Sequence, residues 1–207
     1  MKILAIIPAR KGSKGVKNKN IKLLNKIPLI GHTIKTAIAS NVFSKVIVTT
    51  DSSKIASISK SFGAEVPFLR PNYLSTDTAL AIPTIIHALK KTELIFKETY
   101  DVICMLQPTT PLRRKIDYKK IFRQFKNNYD QYDSVISVKH VGNYSPYKMK
   151  IIKNNQLIDY KKWPIENPPR QSLPNIYIVN GAFYVTKREV LLELKSFKGR
   201  KCLPYLM

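Results

Sequence analysis

Between Pro8 and Asn20 the chain reads Pro-Ala-Arg-Lys-Gly-Ser-Lys-Gly-Val-Lys-Asn-Lys-Asn. Arg10, Lys11, Lys14, Lys17 and Lys19 thus place five cations within ten residues, around Gly12 and Gly15. Glycines let backbone N–H groups approach phosphate oxygens, and neighbouring cations neutralise them. The string is not a Walker A loop, because Gly12 and Gly15 stand too close together and no Gly-Lys-Ser/Thr follows; nor does it fit G-x-G-x-x-G. On residue types alone, a phosphate cradle and a solvated turn both stay open. No Gly-x-Ser-x-Gly elbow or other convincing nucleophile is present. His32, His87 and His140 are far apart, which favours structural roles over metal ligation, and Cys104 and Cys202 give neither a disulfide framework nor ligand spacing.

The wider charge pattern bears on the same loop. The 207 residues carry 36 Lys and Arg against 13 Asp and Glu, a formal net charge of +23. Most of the cations are lysines spread over every segment, which reads as a compositional bias rather than a nucleic-acid surface. The first 50 residues break that uniformity: no Asp or Glu precedes Asp51, and such local concentration points to a bound anion. At 44% hydrophobic and 24% charged the chain is too apolar for a disordered polycation. No stretch approaches the roughly 20 apolar residues of a membrane span, so a soluble cytoplasmic protein is expected.

The elements that must hold the loop alternate. Residues 2 to 7 form an apolar run stopped by Pro8, which predicts a strand buried on both faces. From Pro28, Ile30, Ile34 and Ile38 recur with Ala37 alongside, as on an amphipathic helix. A β-branched strand at 45–50 follows, then a helix with Ile55, Ile58 and Phe62 that Asp51 or Ser52 caps and Gly63 ends. A further helix, started or kinked by Pro83, carries Ile82, Ile85, Ile86 and Leu89. Then come a strand at 101–106, a helix with Ile121, Phe122 and Phe125, and a strand at 134–138. This order predicts a doubly wound, mostly parallel α/β sheet in a single domain. From Gly142 to Pro174 no clear period holds, so an excursion of short strands and loops is expected before a return to the sheet at 176–185.

The loop resembles the signature of the acylneuraminate cytidylyltransferases, the CMP-sialic acid synthetases. The resemblance continues in order through Val48-Thr49-Thr50-Asp51-Ser52, Leu69-Arg70-Pro71, Thr76-Asp77-Thr78-Ala79 and Leu106-Gln107-Pro108-Thr109-Thr110-Pro111-Leu112-Arg113. It extends to Ser145-Pro146-Tyr147-Lys148, Pro169-Arg170-Gln171 and Asn180-Gly181-Ala182-Phe183-Tyr184. It implies a nucleotide-diphospho-sugar transferase fold and transfer of CMP from CTP to the anomeric hydroxyl of an acidic nine-carbon keto sugar, a sialic, legionaminic or pseudaminic acid. Direct displacement at phosphorus fits the missing nucleophile. By position in the family, Arg10 and Lys19 would be catalytic and clamp the triphosphate. Gly12, Ser13, Asn20, Arg70, Thr76 and Asp77 would line the nucleotide site. Gln107, Thr109, Lys148, Arg170, Asn180 and Tyr184 would face the sugar.

The resemblance also implies a homodimer, residues 142 to 174 as a protruding dimerisation or sugar-site segment, Mg²⁺, and no nucleic-acid or membrane partner. Arg70 and Arg113 flank prolines and have surface salt bridges as their rival roles; helix capping is the favoured role of Asp51. In one respect the chain departs from the pattern. Gln107 stands where related enzymes often place a metal-binding Asp, and the D-x-D motif of the sialic-acid branch would lie downstream of Pro204-Tyr205-Leu206-Met207. The expectation is therefore CTP binding with poor turnover. The alternatives are an eight-carbon keto sugar acid as acceptor, or a non-catalytic nucleotide- or RNA-binding protein.

Overall fold

The computed structural model describes residues 1–12 and 15–207. Strand β1 (Ile3–Pro8) runs through its centre, and Leu4, Ala5, Ile6 and Ile7 are all fully buried. Alternate residues of a strand face opposite sides of the sheet, and here each side is covered. Ile3, Ala5 and Ile7 join one core cluster, which takes Ile30, Ile34 and Ala37 from α1 (Leu29–Ser40), Ile55 from α2 (Ser53–Ser61) and Tyr118, Ile121, Phe122 and Phe125 from α4 (Lys115–Asn127). Leu4 and Ile6 join the other, with Ile85, Ala88 and Leu89 of α3 (Ala81–Phe96) and Leu191 of α5 (Arg188–Glu193). Burial on both faces is why the strand reads as a continuous apolar run.

The six-stranded sheet has the order β10-β6-β9-β5-β1-β4. Strand β1 pairs in parallel with β4 (Lys45–Thr49) and β5 (Val102–Met105), Ala5 lying opposite both Val46 and Cys104. Strand β9 (Tyr177–Lys187) joins β5 antiparallel, Met105 opposite Tyr184. Beyond it lie β6 (Ser134–His140) and β10 (Cys202–Leu206). Asp133 ties these last two strands: its Oδ2 accepts from the backbone N–H groups of Arg200 and Lys201 at 2.6 and 3.0 Å. The expected doubly wound, mostly parallel α/β sheet is the one found, with Pro83 in the first turn of α3, where its missing N–H leaves nothing unpaired.

Two local expectations need correction. Ile38 is 39% exposed, because a four-residue step overshoots the 3.6-residue helical turn and Ala37 takes the inward position. Asp51 does not cap α2; the Ser52 hydroxyl does, accepting from the Ile55 N–H at 3.4 Å. The chain comprises two compact units. One is Met1–Ser137 with Gly181–Tyr205; the other is Val138–Asn180 with Leu206–Met207 and contains the 142–174 excursion. Strands β2 (Leu23–Leu24) and β3 (Ile27–Pro28) turn through Asn25 and Lys26; β7 (Lys150–Lys153) and β8 (Gln156–Asp159) turn through Asn154 and Asn155. All four turn residues have positive φ, as the tight two-residue hairpin turn demands. Hairpin β2–β3 and β10 went unread in the sequence, while hairpin β7–β8 supplies short strands of the expected 142–174 excursion. No helix among the described residues is long and apolar enough to cross a membrane.

Helix α4 supplies a test of local stability. The Asp117 carboxylate accepts from the Arg114 backbone N–H at 2.9 Å and from its guanidinium at 3.0 Å, covering a donor left free at the helix start. Burial pushes the Asp117 carboxyl up, but those hydrogen bonds outweigh it and leave it below the usual carboxylate range. Its stabilisation is thus present above the unfolded carboxylate value of about 3.9 and is lost as pH falls through the lower folded value. Asp117→Ala is expected to destabilise the fold by about 1 kcal/mol at neutral pH. Thermal unfolding of wild type and variant should converge as the solution is acidified; a gap independent of pH would show that packing, not the cap, is lost.

Candidate functional site

The loop after β1 emerges at the carboxyl end of a central parallel strand, where open α/β sheets bind ligands. It is pinned from behind: the Ala9 N–H donates to the Thr49 carbonyl at 3.0 Å, and the buried Asn20 amide donates to the Arg10 carbonyl at 3.0 Å. Asn18, at φ 56°, turns the chain into the single 3₁₀ turn that carries Lys19 and Asn20. These contacts shape a cavity of about 440 Å³. Arg10, Gly12, Gly15, Lys19 and Asn20 line one side, Arg70, Leu74, Thr76, Ala79, Ala81 and Thr84 another, and Gln107, Pro108 and Thr109 a third. A Cβ on Gly12 or Gly15 would meet no atom of the described residues within 4 Å, so these leave the space over both glycines open.

The charges in this cavity are unevenly satisfied. Arg10 Nη1 lies 2.6 Å from Asp77 Oδ1. Asp51 Oδ1 accepts from the Lys11 N–H at 2.8 Å and stands 3.9 Å from Arg70 Nη2, an ion-pair distance too long for a hydrogen bond. Arg70 is 6% exposed, and its Nε and Nη2 have no hydrogen-bond partner among the described residues. Burial pushes its guanidinium down from the usual arginine value, the nearby Asp51 offsets part of that, and Arg10 adds to the depression. A buried cation with donors unspent, on a cavity wall, is a group awaiting an acceptor.

Of the residues expected to bind nucleotide, Arg10, Gly12, Lys19, Asn20, Arg70 and Thr76 all line this one cavity. Ser13 lies outside the described residues. Asp77 is engaged with Arg10. The six sugar-facing candidates are divided. Gln107 and Thr109 line the same cavity. Tyr184 packs into the core beside Phe197, ring centroids 5.5 Å apart, and burial pushes its phenol upward. Lys148 and Arg170 line a separate cavity of about 460 Å³ inside the second unit, with His140, Ser145 and Gln171; Asn180 belongs to that unit without lining the cavity. Ser145 Oγ there is buried with no hydrogen-bond partner among the described residues. Sequence reasoning missed Leu74, Thr84, Ser145 and His140, whose types give no signal apart from position.

Arg113 is no surface ion pair. It is 3% exposed and reaches the carbonyls of Gln107, Thr110, Gly181 and Ala182 and the Thr33 hydroxyl. The histidines are scattered as expected: His32 Nε2 meets the Leu24 carbonyl, His87 stacks edge-on to Phe68, and His140 Nδ1 accepts from the Gly142 N–H. Burial, then Lys91 and Arg70, push the His87 imidazole below its ordinary value.

No three His, Cys, Asp or Glu side chains converge among the described residues, and Asp51 and Asp77, the carboxylates beside the loop, pair with Lys11 and Arg10.

A model of the cytidylyltransferase family matches residues 4–196. The chain belongs to that family. It is 35% identical to the post-translational flagellin modification protein B of Campylobacter coli, over 99% of this chain and 86% of that one. It is 33% identical to the CMP-N,N'-diacetyllegionaminic acid synthase of Legionella pneumophila, over 100% and 87%. With the N-acylneuraminate cytidylyltransferase of Escherichia coli O18:K1:H7 the identity is 37% over 100% of this chain, which spans only 47% of that protein. Among solved structures, a CMP:2-keto-3-deoxy-manno-octonic acid synthetase complexed with CTP superposes with a TM-score of 0.72, at 17% identity, over 100% of this chain and 90% of that one. At that identity the likeness shows the fold. As a cytidylyltransferase family member the chain is a nucleotidyltransferase, which sets aside the non-catalytic reading.

Proposed function

We propose that this chain transfers CMP from CTP to the anomeric hydroxyl of a nonulosonic acid. The acceptor oxygen bonds to the α-phosphorus, the bond from that phosphorus to the bridging oxygen breaks, pyrophosphate leaves, and the hydroxyl proton is given up to solvent. The observation that carries the reading is the buried, under-satisfied Arg70 in the cavity that it lines together with Arg10, Lys19 and the glycine loop. Arg10 and Lys19 neutralise charge on the triphosphate, which an approaching acidic acceptor would otherwise repel. Arg70 supplies fixed donors to the nucleotide. In the second unit, Lys148 and Arg170 line one cavity, and two cations there suit a carboxylate.

The names of the relatives support a nine-carbon acid over an eight-carbon one: two act in CMP-diacetyllegionaminic and N-acylneuraminic acid synthesis. The reading includes a homodimer working in the cytoplasm, where CTP is found. Hairpin β7–β8 exposes Ile151, Ile152, Leu157 and Ile158, apolar area that a second copy would cover.

The test is pyrophosphate release with CTP, UTP or ATP against a panel of sialic, legionaminic, pseudaminic and eight-carbon keto acids. CTP with a nine-carbon acid is expected to give the highest turnover. Equal use of all three nucleotides would remove the cytidylyl assignment, and preference for the eight-carbon acid would move the acceptor class. Light scattering on the same preparation reads the copy number.

A further inference from the structure

We propose that Arg113, which touches no substrate, is the positioning residue that fixes the Gln107–Thr110 turn and the Gln107 amide for the acceptor. The inference rests on the reading above, in which Gln107 and Thr109 face that acceptor. A guanidinium has five N–H donors in a rigid fork, and Arg113 finds five acceptors. Nε donates to the Ala182 carbonyl at 2.6 Å. Nη1 donates to the Thr110 carbonyl at 2.7 Å and to Thr33 Oγ1 at 3.2 Å. Nη2 donates to the Gln107 carbonyl at 2.7 Å and to the Gly181 carbonyl at 3.4 Å. Two of these carbonyls belong to the turn and two to strand β9, so one side chain clasps the turn to the sheet.

The sequence leaves the turn short of backbone donors. Gln107 and Thr110 each precede a proline, Pro108 and Pro111, so their peptide units have no N–H of their own, and within the turn the backbone contributes the Thr110 N–H to the Gln107 carbonyl at 3.3 Å. None of the five acceptors is a carboxylate, and burial pushes the Arg113 guanidinium down from its ordinary value.

Gly181 completes the cradle. At φ +75° it takes a left-handed conformation, and a Cβ there would lie 2.8 Å from Gln107 Oε1 and 3.4 Å from Thr110 Oγ1. The Gln107 side-chain amide therefore rests on the bare backbone of Gly181, while Arg113 holds the Gln107 backbone carbonyl from which that side chain departs. A lysine, with three donors on one nitrogen, cannot bridge turn and strand together.

The test compares wild type with R113K, R113M and G181A in three measurements. Amide hydrogen exchange at Thr109 and Thr110 should quicken at least tenfold in each variant, with Lys19–Ile21 unchanged. The Kd for CTP by calorimetry should stay within twofold. With N,N'-diacetyllegionaminic and N-acetylneuraminic acids as probes, kcat/KM should fall at least tenfold, and R113M should add less than threefold in a Q107A background. Exchange quickened evenly over the chain, CTP affinity lost in step with turnover, or full additivity with Q107A would overturn the proposal. If wild type turns over neither acid, the acceptor reading fails, and the exchange pattern with the CTP affinity still decides whether the clasp exists.

Discussion

Arg70→Met is expected to weaken CTP binding by about tenfold to a hundredfold while leaving the ligand-free protein as stable as wild type or more so. Both halves follow from one observation. Nε and Nη2 are buried with no hydrogen-bond partner among the described residues, so those residues do not return to these two donors the hydrogen bonds given up on leaving water. Replacing such a group by an apolar chain of similar length is neutral or stabilising, by up to about 4 kcal/mol in favourable cases. Against this, Asp51 at 3.9 Å loses a partial counter-charge but keeps the Lys11 N–H at 2.8 Å. On the binding side, a hydrogen bond to a charged group is worth about 1.5–3 kcal/mol, which is the stated loss in affinity. Calorimetry with CTP and thermal unfolding of the free protein check the two halves. If the variant both melts lower and binds less, Arg70 is a structural residue and its position on the cavity wall is incidental.

The same opposition between fold and site decides what the sequence could show. The sheet was legible because each central strand obeys burial alone. Odd residues of β1 join one core and even residues the other, so Ile3 to Ile7 reads apolar throughout. The short elements were not legible, for physical reasons particular to each. Hairpin β7–β8 is exposed along all of both strands, so no buried face imposes a period on its residues. Its one clear signal is Asn154-Asn155, both in the left-handed region. Strand β10 includes Pro204 and has a mixed burial pattern, and it is held partly through Asp133, a partner nearly 70 residues upstream.

At the candidate site the types of Arg10, Gly12, Lys19 and Arg70 announce anion chemistry, and the fold brings them to one cavity. What the types cannot announce is direction. Arg70 and Arg113 both flank proline and both are buried. One lines a cavity with Nε and Nη2 unpartnered among the described residues, while the other spends all five donors on carbonyls and a hydroxyl from three separate segments. Asp51 looked like a cap because Asp often caps helices. The cap went to Ser52, and Asp51 was turned back to the Lys11 N–H, so it braces the loop instead. Spacing gives no access to such choices, because they depend on partners distant in sequence.

Arg10→Ala is expected to lower CTP affinity at least tenfold, whereas Lys22→Ala and Lys45→Ala change it less than twofold. Diffuse positive charge would predict three similar effects. The structure separates the three cations by what surrounds them. Lys22 is exposed at the end of the 3₁₀ turn. Lys45 is already engaged: its Nζ lies 2.7 Å from Glu65 Oε1 and 3.9 Å from the centroid of the Phe96 ring. Its loss should appear in stability, not in nucleotide binding. Arg10 lines the cavity, and the carboxylate of Asp77, 2.6 Å away, holds its guanidinium where phosphate oxygens would bind. That pair is partly exposed, so it contributes little to stability. In the bound state a triphosphate offers Arg10 more charge than Asp77 does, and exchange of one partner for the other should be favourable. Asp77→Asn is therefore expected to leave CTP affinity unchanged or raised, and Asp77→Asn with Arg10→Ala to match Arg10→Ala alone. Titration calorimetry with CTP across these variants at fixed salt checks each value. A tenfold loss in Asp77→Asn would mean that Asp77 contacts the nucleotide directly and that its bond to Arg10 is not merely a holding contact.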